Sequence, residues 1–82
     1  MRSMIGRTRD RLKSFEVTHQ GYYHEFDEIY HTRIKARNQA DALGKFASRH
    51  RIAESRKKKP ENWEWWDGDW YMVFVRVQQL KS

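Results

Sequence analysis

Cysteine is absent from the 82-residue chain, which removes disulfides, thiolate nucleophiles and zinc-finger ligand sets together. A thiol-free chain fits a reducing compartment, and a cytoplasmic location is the expectation. Proline occurs once, at Pro60, and glycine four times, so no stretch reads as a collagen-like or low-complexity tract. No apolar run approaches the roughly 18 residues needed to cross a bilayer, and no membrane association is expected. The basic start, Met1 to Lys13, has no apolar segment behind it and does not read as a secretory leader. Neither a glycine-rich phosphate loop nor a nucleophile–base pattern stands out, so no enzyme and no cofactor are expected.

The length allows one domain with one modest core. A chain this short buries only about 60% of its unfolded surface, so help from a partner or a second copy would matter. What the chain does have is positive charge, 17 Lys and Arg against 11 Asp and Glu. The excess is local. Residues 1–13 hold Arg2, Arg7, Arg9, Arg11 and Lys13 against Asp10, and residues 49–59 hold Arg49, Arg51, Arg56, Lys57, Lys58 and Lys59 against Glu54. Those segments together exceed the net charge of the whole chain, and cations gathered this way favour acidic partners such as nucleic acid.

Residues 1–13 lack periodicity and read as a mobile basic arm, followed by a single domain over 14–80. Phe15 to Gln20 alternates apolar and polar like a half-buried strand, and Gly21 suggests a bulge or bend before Tyr22 and Tyr23. The acidic stretch from Glu25 to Glu28 reads as a loop. A second strand places Tyr30, Thr32, Ile34 and Ala36 on one face and His31, Arg33, Lys35 and Arg37 on the other. Asn38 suits a helix N-cap with Asp41 in the first turn. The helix is expected over about 39–51, with Ala40, Leu43, Ala47 and His50 on its inner face, Phe46 beside them, and Ile52 opposite. A basic connector closes at Pro60. Asp67-Gly68 between tryptophan-rich flanks predicts a type I′ hairpin that sets Trp66 against Asp69, Trp65 against Trp70 and Trp63 against Met72.

The order is β-β-α-β-β, an α+β domain with a small antiparallel or mixed sheet and one helix on one face. The expected helix-side face is Phe15, Val17, Tyr30, Ile34, Ala36, Tyr71, Val73, Val75 and Val77. Alternation then leaves Trp63, Trp65, Trp70, Met72, Phe74 and Arg76 on the open face beside His31, Arg33, Lys35 and Arg37. Three readings of such a face stay open. Rings beside guanidinium groups suit single-stranded nucleic acid or RNA, with Lys57, Lys58, Lys59, Arg7, Arg9 and Arg11 gripping phosphates from flexible segments. The same composition suits a protein partner, an inhibitor-type contact or a homodimer, as in a small accessory protein of the kind a phage encodes. Alternatively the arm or the connector folds over the rings. His24, Glu25, Asp27, Glu28 and His31 are the only group that could be considered for a metal, and their spacing fits no compact ligand motif. His19 and His50 read as ordinary strand and helix-edge residues.

Overall fold

Residues 12–52 and 59–81 are described, from a computed structural model of the chain. Strands β1 (Lys13–Tyr23) and β2 (Phe26–Ala36) are followed by helix α1 (Gln39–Arg49) and by strands β3 (Glu64–Asp67) and β4 (Trp70–Gln79). A 3-10 turn, Pro60–Asn62, leads into β3. The four strands form one antiparallel sheet in the order β2-β1-β4-β3, with β1 and β4 at its centre, a long edge, β2, and a short one, β3. The domain is therefore α+β. Lys13 opens β1, while the rest of the expected arm up to residue 11, and connector residues 53–58, lie outside the described residues.

The first hairpin is tighter than expected and the second turns one residue later. The acidic loop is not a loop: Tyr23 pairs directly with Phe26 around His24 and Glu25, and Asp27 and Glu28 belong to β2. Acids are tolerated there because β2 is an edge strand whose first half is exposed on both faces. In the second hairpin Asp67 pairs with Trp70, Trp66 with Tyr71 and Trp65 with Met72. Gly68 and Asp69 are thus the central turn residues, with only Gly68 at positive φ (65°). Glycine at the first central position is the preference of a type II′ turn, which replaces the expected I′.

The helix begins as expected and ends earlier. Asn38 Oδ1 accepts from the Asp41 N–H at 2.8 Å, and Asp41 Oδ2 accepts in return from the Arg37 N–H at 3.0 Å. At the other end Ile52 N–H reaches the Ala47 carbonyl and Arg51 N–H the Ser48 carbonyl, with Arg51 at φ 56°. This is a Schellman closure built on arginine where glycine is usual. The reversal carries Ile52 into the core, where it is 3% exposed, although continued helical periodicity puts it on the far side. The buried stripe is Ala42, Phe46 and Ala47 with Leu43 partly covered, whereas Ala40 is exposed.

One irregularity decides which residues meet the helix. Thr18 pairs with Arg76 but His19 pairs with Phe74, so β4 carries one extra residue, Val75, opposite the Thr18–His19 step. Such a bulge reverses the in–out alternation along its strand. Val77 faces the helix side beyond it, and before it the helix side takes Trp70, Met72 and Phe74 in place of Tyr71 and Val73. The core accordingly joins Phe15, Val17, Ile34, Ala36, Phe46 and Ile52 to Trp63, Trp65 and Met72.

Candidate binding face of the sheet

The expected grouping of Trp63, Trp65, Trp70, Met72 and Phe74 on one face is present, but that face is the covered one. Trp63, Trp65 and Met72 are 5%, 9% and 5% exposed, and Trp70 and Phe74 pack partly buried against them. The bulge is the physical reason, because strict alternation carried from Val77 back to Tyr71 gives the wrong parity. Phe46 and His50, on and at the end of α1, cover Trp65, with ring centroids 5.7 and 5.6 Å away.

Residues directly opposite in neighbouring strands share a face, so the pairing defines what the open face holds. Asp27, Tyr22, Tyr71 and Trp66 form one row across the sheet, and Ile29, Gln20, Val73 and Glu64 the next. Beyond the bulge come His31, Thr18 and Arg76, then Arg33, Glu16 and Gln78, then Lys35 beside Ser14. Successive rows are about 7 Å apart, two residues of strand. One end of the face is thus aromatic and the other cationic.

The aromatic row is a contiguous surface. Trp66 is 68% exposed and its ring lies 5.4 Å from that of Tyr71, which lies 6.4 Å from Tyr22. The three line one hollow with Tyr23, His24 and Asp69. Tyr71 donates its hydroxyl to Glu64, which orients the phenol and raises its pKa above the usual value. At the cationic end His31, Arg33, Lys35 and Arg76 are all exposed. His31 Nδ1 lies 3.1 Å from Thr18 Oγ1 and 3.7 Å from Glu16.

The remaining expected site residues do not join this face. Arg37 lies past the end of β2 and points its guanidinium toward Asp41, 3.6 Å away. Lys59 is exposed immediately before Pro60. Lys57, Lys58, Arg7, Arg9 and Arg11 are outside the described residues. Trp66, Tyr71 and Tyr22 are the members that sequence reasoning missed. The usable signal was the pair Trp65-Trp66, since adjacent strand residues must face opposite sides.

A second chemical feature lies beneath the helix. His19 is 4% exposed and its ring contacts Tyr30, Phe46, His50 and Trp65, with centroids between 4.8 and 5.5 Å. Burial first, then His50, lowers its pKa to about 4, against a smaller opposing pull from Asp67. Burial and then Arg49 also lower that of His50. His19 Nδ1 and His50 Nε2 are buried without hydrogen-bond partners. The residues considered for a metal are separated by the strand: His24 and Glu25 form the turn, Asp27 and His31 lie two rows apart, and Glu28 pairs with Gly21 on the opposite face. Among the described residues no three His, Asp or Glu side chains converge on a common point. No helix among them is long and apolar enough to cross a membrane. Compared with known proteins, the chain matches no family model, no curated protein and no solved structure.

Proposed function

We propose that this protein is a non-enzymatic binding module that takes single-stranded nucleic acid or RNA across the open face of its sheet. The observation that carries the reading is the run of rows from Trp66, Tyr71 and Tyr22 to Arg76, His31, Arg33 and Lys35 on one uncovered surface. Bases stack on exposed rings irrespective of sequence, and cations farther along the strand direction hold the phosphates that follow. The basic segments at 1–13 and 49–59 add sequence-independent attraction and a marked salt dependence. The test is a titration of labelled oligouridine and single-stranded DNA across a salt series. Log affinity falls with log salt by about 0.7 per neutralised phosphate. Absence of binding at low salt removes this reading.

One observation favours a second reading, a protein partner. Asp27, Glu64 and Asp69 border the aromatic row, and acids beside rings repel phosphate while suiting a basic partner surface. Under that reading Trp66 is an anchor for a protein, and its loss leaves oligonucleotide affinity unchanged.

A further inference from the structure

Among the described residues, no further strand pairs with the outer edge of β2. Leu80 N–H donates to the Ser14 carbonyl, so even-numbered residues of β1 bond toward β4 and odd-numbered ones toward β2. Their partners in β2 are the even residues from Phe26 to Ala36. In an antiparallel ladder every second residue turns both backbone groups the other way. Asp27, Ile29, His31, Arg33 and Lys35 therefore present their N–H and C=O groups at the edge. Lys45 Nζ confirms this parity by donating to the Lys35 carbonyl at 2.8 Å, and in doing so it closes that end. The open stretch runs from Asp27 to Arg33, centred on Tyr30.

We propose that two copies of this chain pair antiparallel through β2, with Tyr30 at the twofold axis. In this register Asp27 of each copy meets Arg33 of the other, Ile29 meets His31, and Phe26 meets Ile34. An isologous contact requires such self-complementarity. The charges select it, because an acid near one end and cations near the other attract in the antiparallel sense and repel in the parallel one. Phe26 and Ile29, 61% and 52% exposed in the single chain, are covered by the pairing. A long edge with exposed apolar residues is otherwise a liability that folded proteins avoid. The twofold axis stands perpendicular to the sheet, so both helices share one side and the two open faces become continuous. The inference stands independently of any nucleic-acid ligand, and its test uses none.

Sedimentation of the full chain should give twice the 10.1 kDa mass. Ile29→Pro removes an edge N–H that the internal ladder does not use, and should give a monomer with unchanged far-ultraviolet dichroism. Asp27→Arg should weaken self-association by at least about tenfold by opposing Arg33, and Asp27→Arg combined with Arg33→Asp should restore it. The reciprocal rescue keeps the test decisive even where Ile29→Pro fails to fold. A monomeric wild type at high micromolar concentration overturns the proposal. So does a dimer indifferent to Asp27→Arg.

Discussion

His19 on β1 stacks on Tyr30 of β2 with ring centroids 4.8 Å apart and planes 16° from parallel, and the same imidazole meets His50 of the helix at 5.3 Å. Two imidazoles held this close inside an aromatic core are stable only while neutral. Asp67 is the acid that opposes their neutrality, and Arg49 beside His50 reinforces it.

Acid should therefore weaken the fold. The unfolded chain protonates His19 near pH 6.5 and the folded chain only near 4. The contribution of the neutral ring is complete above pH 6.5 and is lost as pH falls through 4. Its size is roughly 2–3 kcal/mol, with His50 acting in the same direction. Denaturant midpoints at pH 7 and pH 4.5 measure it. His19→Phe, which keeps the stack and removes an unpartnered nitrogen, should flatten the pH dependence without loss at pH 7.

Gly21 is required for room. A Cβ there would sit 2.8 Å from Met72 Sδ and 3.2 Å from both Trp70 and Tyr30. Gly21→Ala should cost about 1–3 kcal/mol, read as a lower melting temperature, because the overpacked neighbours are themselves held in the core.

The two ends of α1 offer substitutions of opposite sign. Asn38→Ala removes the cap on the Asp41 N–H and should destabilise by about 0.5–2 kcal/mol. Arg51→Gly relieves a left-handed residue in the Schellman closure and should stabilise by about 1 kcal/mol. Chemical denaturation of both variants checks the pair.

Much of this fold was legible where local chemistry and pattern agree: the Asn38 cap and the alternation from Tyr30 to Ala36 lie where expected, and the Asp-Gly step marks a hairpin whose turn is displaced by one residue, to Gly68-Asp69. The grouping of Trp63, Trp65, Trp70, Met72 and Phe74 was legible as well. Its side was not, because a single extra residue at Val75 reverses the parity of β4, and a valine in a valine-rich strand carries no local mark of a bulge. The His19–His50 contact was hidden for a different reason. It joins β1 to the helix end, and such a meeting follows from tertiary packing alone.

The central claim is that the uncovered face, led by Trp66, is the one that binds. The affinity of Trp66→Ala for labelled oligouridine at low salt tests it most directly, with far-ultraviolet dichroism confirming that loss of a ring 68% exposed leaves the fold intact. The account predicts a loss of about 1–3 kcal/mol, roughly 5- to 150-fold, at unchanged structure. Binding within about twofold of the wild type, against that expected loss for one stacked base, would contradict it.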